Sequence, residues 1–111
     1  MFKQPLTCYI AKTFRENVVV TDELGEPIKF DGYSARMQVR DDYGGTIVIE
    51  MTTENGHISF DRNTITLFIQ DEDTALFTSG SYKYDLNVNS PSGDVYPIMY
   101  GAFKIKDSVT V

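Results

Sequence analysis

The punctuation of this chain constrains it most. Turn signals recur about every ten residues: "DELGEP" (22–27), "DG" (31–32), "DDYGG" (41–45), "ENG" (54–56), "DRN" (61–63), "TSGS" (78–81) and "SPSGD" (90–94). Segments this short leave no room for long helices. They suit the strands of an all-β sandwich or barrel, in which each strand ends before it outgrows the sheet.

The segments between the turns alternate with period two. In "YSARMQVR", Tyr33, Ala35, Met37 and Val39 share one side, and Ser34, Arg36, Gln38 and Arg40 the other. In "SYKYDLNV", Tyr82, Tyr84, Leu86 and Val88 oppose Lys83, Asp85 and Asn87; in "NTITLFIQ", Ile65, Leu67 and Ile69 fall together. Such patterning predicts sheets with one wall on a core and the other in water. Further strands are predicted over 5–10, 13–21 (carried by Phe14, Val18 and Val20), 27–30, 46–52 (Ile47 and Ile49, with Val48 facing across), 56–60, 94–105 and 107–111. The chain's 111 residues predict a single domain, 1–111.

"DEDTALFTSG" (71–80) departs from the pattern. Asp71 as N-cap, acids in the first turn and Gly80 as a stop predict one helical turn near 71–77. A turn here, followed by a Tyr-bearing strand, resembles the corner between the fifth and sixth strands of immunoglobulin-like antiparallel sandwiches. Tyr82 then either sends its hydroxyl back to the corner's backbone or is a core aromatic with its hydroxyl at the rim.

Chemical equipment is sparse. The one cysteine, Cys8 in "LTCYIA", forbids an intrachain disulfide and reads as a small buried hydrophobe. The one histidine, His57 in "NGHISF", reads as an exposed turn residue. No G-x-S-x-G element, phosphate-binding glycine loop or C-x-x-C pair occurs. The carboxylates of 22–26, 41–42 and 71–73 sit in turns or a helix start, where acids serve structure. They do not match an EF-hand loop, although "DDYGG" and "DEDT" at one end of a sandwich remain a calcium candidate. No enzyme activity, cofactor or catalytic residue is predicted.

A net charge of −6, from 16 acids and 10 bases, argues against direct nucleic-acid binding, as does the lack of a basic run beyond Lys104 and Lys106. No apolar run is long enough to span a membrane, and the N-terminus lacks a signal peptide's apolar core. The chain reads as soluble and made in a cytoplasm.

The order of elements supports a family resemblance. "TFRENVVVTDELGEPIKFDGYSARMQVRDDYGG", with its D-x-x-G-x-P-I turn and G-Y-x-x-x-x-x-x-R strand, resembles the first half of small tail-associated virion proteins of double-stranded DNA bacteriophages. Residues 54–110 resemble the second half: Asp73-Thr74-Ala75, Gly80, Tyr82, Tyr84-Asp85-Leu86, Pro91-Ser92-Gly93, Gly101 and a terminal "SVT". The N-terminal domain of lactococcal phage upper baseplate proteins is similar. The match spans roughly residues 13 to 110, and Val111 stands where the family usually has a basic residue. The resemblance implies an immunoglobulin-like sandwich and a place in a virion as tail, baseplate, neck or capsid decoration. The chain would be made in the host cytoplasm and partner other virion proteins. It supplies no catalytic residue.

Within that frame the strand over 94–105 is unusual. Val95, Pro97, Met99 and Gly101 alternate with Tyr96, Ile98 and Tyr100, so both faces are apolar. Tyr96, Ile98 and Tyr100 are therefore expected at an interface with another copy or virion protein. The competing expectation is a bulge at Pro97 that re-registers the strand. A receptor- or carbohydrate-binding module is the alternative function, with Tyr43 as its ligand contact.

Overall fold

A computed structural model describes residues 2–22, 24–42 and 44–107. Among the described residues nine strands form: β1 (Phe2–Lys3), β2 (Leu6–Tyr9), β3 (Phe14–Val19), β4 (Ser34–Arg40), β5 (Ile47–Thr52), β6 (Ile58–Asp61), β7 (Thr64–Ile69), β8 (Gly80–Asn89) and β9 (Val95–Lys106). One helical turn, α1 (Asp71–Thr74), lies between β7 and β8.

The strands make two sheets. The larger runs β1-β9-β8-β4-β5, with β2 also on β9; the smaller runs β3-β7-β6. Every pairing is antiparallel except those of β1 and β2, which lie parallel along β9. This is an immunoglobulin-like β-sandwich. The strand predicted over 5–10 is β2, and Pro5, which has no N–H to give a ladder, separates it from the short β1.

Period-two patterning produces the core. Ala35, Met37 and Val39 of β4 and Tyr84, Leu86 and Val88 of β8 are buried, as are Ile65, Leu67 and Ile69 of β7. Phe14 and Val18 of β3 complete the opposite wall. Each Val, Leu, Ile, Phe or Met side chain among them contributes about 1.5–3 kcal/mol by leaving water. Phe103 of β9 lies at the centre, its ring 5.5 Å from Phe14 and 6.2 Å from Tyr84.

Three segments differ from expectation. Residues 27–30 form no strand; the loop from β3 to β4 is held by a bridge from Thr21 to Pro27, by the Ile28 N–H on the Val20 carbonyl at 3.3 Å, and by Phe30 against Tyr33 and Phe60. Ile47 is exposed, because Ile49 pairs with Val39 and Ile47 with Arg40, leaving Val48 as an extra residue in a bulge. The strand expected over 107–111 lies outside the described residues beyond Asp107.

The corner after β7 is a helical turn, but Gln70 takes the N-cap position, with no side-chain cap, and Asp71 is the first helical residue. The turn is held instead by Thr74. This buried hydroxyl donates to the Lys12 carbonyl at 2.7 Å and lies 3.1 Å from the Asp71 carbonyl. Thr74→Val keeps the shape and removes the donor, leaving the Lys12 carbonyl without it. Urea unfolding should show a loss of about 1–2 kcal/mol.

Tyr82 does reach back: its hydroxyl donates to the Thr78 carbonyl at 2.8 Å, four residues upstream. The ring is half-buried against the core, so both readings of Tyr82 hold in one residue. The bond is near solvent, so Tyr82→Phe is expected to lower the unfolding free energy by only about 0.5–1 kcal/mol in the same assay.

Candidate interaction surface

Residues paired across a ladder point to the same side, so the register of β9 decides which of its side chains face outward. Leu86 pairs with Met99, but Asn87 pairs with Pro97, which leaves Ile98 as the extra residue of a bulge. The expected outward trio is therefore broken. Tyr100 pairs with Asp85 and faces outward; Tyr96 pairs with buried Val88 and turns to the core side; Ile98 packs partly on the core. Tyr96 stays 48% exposed because it lies at the sandwich rim. The physical reason is Pro97, which cannot donate to β8 and sits naturally beside a bulge. Tyr43 lies outside the described residues.

With the bulge in place, the outer face of the larger sheet is defined by Lys3, Tyr100, Lys104 and Lys106 on β1 and β9, Lys83 and Asp85 on β8, Arg36, Gln38 and Arg40 on β4, and Glu50 on β5. Six of the chain's ten basic residues share it, against two acids, Glu50 and Asp85. The chain as a whole is acidic, so this segregation is strong. It escapes a search for basic runs because alternation spaces the cations two apart along each strand and the sheet gathers them across strands.

Local pairing accounts for part of the charge. Glu50 receives Arg36 at 3.3 Å and Gln38 at 3.0 Å. These bonds, Gln38's first and then Arg36's, hold its carboxyl below the usual value. Arg40 donates to Gln38 Oε1 at 2.8 Å and to the Gly45 carbonyl of the β4–β5 turn. A shallow depression of about 460 Å³ lies here, between Gln38, Arg40, Lys83 and Asp85. Lys3, Lys104 and Lys106, by contrast, have no carboxylate within 4 Å among the described residues. Tyr9 and Tyr100 sit between them, opposite Lys106 and Lys3.

A second region lies at the end of the sandwich. Asn63 Nδ2 donates to the Val20 carbonyl at 3.2 Å, and Gly32 packs against Pro91, so the β3–β4 loop, the β6–β7 turn and the β8–β9 hairpin meet. These segments carry Asp22, Glu26, Asp31, Asp61 and Asp94 against Lys29 and Arg62, and Lys29, Asp31 and Arg62 line one depression. Exposed apolar side chains stand among them: Leu24 at 88%, Val95 at 62%, and Tyr96. Asp94 accepts from the Tyr96 hydroxyl at 3.3 Å, and its charge raises that phenol's pKa.

Residues weighed for chemistry are engaged structurally. Cys8 is buried in β2, and burial pushes its thiol up to about 11, away from a reactive thiolate. His57 is half-buried rather than exposed, with Nδ1 2.9 Å from the Phe68 carbonyl. Among the described residues, no three His, Cys, Asp or Glu side chains lie close enough to hold a metal ion.

No family model matches the chain, and no curated protein matches it. Solved structures do. CopC from Methylosinus trichosporium OB3b is 18% identical, with a TM-score of 0.41, over 71% of this chain and 67% of its own. Murine CRIg is 11% identical, with a TM-score of 0.41, over 94% of this chain and 92% of its own.

Proposed function

We propose that the chain is a non-catalytic structural module of a bacteriophage particle, joining its neighbours through surfaces of the sandwich. The observation that carries the assembling role is the outer face of the larger sheet, where Lys3, Lys104 and Lys106 have no carboxylate within 4 Å among the described residues of an acidic protein. Such a face is soluble alone and selects an acidic neighbour. Support for the phage setting comes from the residues of the family resemblance. Thr74 and Tyr82 donate to the backbone carbonyls of Lys12 and Thr78, and Gly101 leaves the space that the Gln4 backbone needs. Motif residues with such duties fit a scaffold, whose product is a rigid shape.

The test is deletion of the coding sequence from the genome that carries it. Particles should lose infectivity or a visible tail, neck, baseplate or capsid feature, restored by the sequence in trans. Unaltered, fully infectious particles would contradict the proposal.

A further inference from the structure

The Lys104 and Lys106 end of the basic face lies far from the acidic loop end on one molecule. Lys104 and Lys106 end β9, while Asp94 immediately precedes it. At about 3.3 Å per residue the strand separates them by roughly 35 Å, in a molecule 42 Å long. At about 8–10 Å the Debye length is far shorter, so neither region neutralises the other within one copy. A second copy can. Pairing the basic face with itself would set six bases against six with only Glu50 and Asp85 between them on each copy, which disfavours a two-fold contact through that face.

We infer that the basic outer face of the larger sheet receives the acidic loop end of a second copy, so that copies associate head to tail. The acidic end brings more than charge. Leu24, Val95 and Tyr96 project among its carboxylates, and the receiving face interleaves Tyr9 and Tyr100 with its lysines. Apolar contact is thus available at the centre once the charges have aligned the two surfaces. A head-to-tail contact closes into a ring or runs on as a filament. The inference names the partner for the assembling role proposed above and rests on it. It is tested on purified protein, so its failure leaves the particle test untouched, and absence from particles leaves this result standing.

Sedimentation equilibrium of three proteins decides it: the unaltered chain, Lys104→Glu/Lys106→Glu, and Asp31→Lys/Asp61→Lys. All four positions are exposed, and none of these side chains makes an intrachain hydrogen bond or ion pair among the described residues, so circular dichroism should be unchanged. The unaltered chain should self-associate, more weakly as salt rises. Each reversed variant alone should lose association by about tenfold or more. Mixed in equal amounts the two should recover it, because reversed face meets reversed end and native end meets native face. Association indifferent to both reversals, or no recovery on mixing, would overturn the inference. So would a monomeric chain that instead retards a short DNA duplex through Lys104 and Lys106.

Discussion

Gly101→Val is expected to destabilise the protein by about 3 kcal/mol or more, the sum of backbone strain and overpacking. Gly101 lies in β9 where the chain crossing from β1 to β2 comes closest. A Cβ there would sit 2.9 Å from the Gln4 carbonyl oxygen, and the residue's φ is +149°. Neither neighbour yields easily. Gln4 is held from both sides, its N–H donating to the Tyr100 carbonyl at 2.9 Å and its carbonyl accepting from the Tyr84 hydroxyl at 2.5 Å. Forcing them apart pulls the N-terminal strands from β9 and opens buried Leu6 and Cys8 to water. Urea unfolding gives the magnitude, and hydrogen exchange of residues 2–9 gives the place. Gly25→Ala is the control: its φ is +83° but no atom lies within 4 Å of the added Cβ, so it should cost only about 1 kcal/mol. Equal losses for the two would show that the contact with Gln4 contributes nothing.

Phe103→Ala is expected to lose about 3–5 kcal/mol, the range for emptying an aromatic site in a core. Phe103 is fully buried, with Phe14 of the smaller sheet on one side and Tyr84 on the other. It pairs with Leu6 of β2 and Tyr82 of β8, so one ring is shared by both sheets and the N-terminal strand. These neighbours belong to paired strands and cannot close the void independently. Thermal unfolding would show the loss as a large fall in Tm. Leu76→Ala, at a residue 83% exposed in the corner after α1, should stay within about 0.5 kcal/mol. A small effect at Phe103 would mean that the two sheets do not pack through this ring.

What was legible in the sequence was what alternation encodes. Met37, Val39, Tyr84, Leu86, Ile65 and Leu67 could be placed on core faces because side-chain direction in a strand depends only on position parity. Parity fails at a bulge, and it failed twice, at Val48 and at Ile98. The second failure took Tyr96 and Ile98 from the outward face and left Tyr100 there alone. Pro97 was the visible warning, but whether the extra residue falls before or after a proline depends on the partner strand's hydrogen bonds. The parallel docking of β1 and β2 was not legible either, since strand direction leaves no mark on a short apolar run. The basic face was hidden for a related reason. Lys3, Arg36, Lys83 and Lys104 are dispersed along the chain, and only sheet order makes them neighbours. For Tyr82 the sequence left two readings open, and only the structure shows its hydroxyl on the Thr78 carbonyl.

The role proposed for this sandwich is that of a building part of a particle. Quantitative mass spectrometry of particles purified from the host that carries the sequence tests it most directly. The chain should be present at a fixed copy number per particle, in a whole-number ratio to other particle proteins. Its absence from purified particles, while it is plainly expressed in the same cells, would contradict the claim.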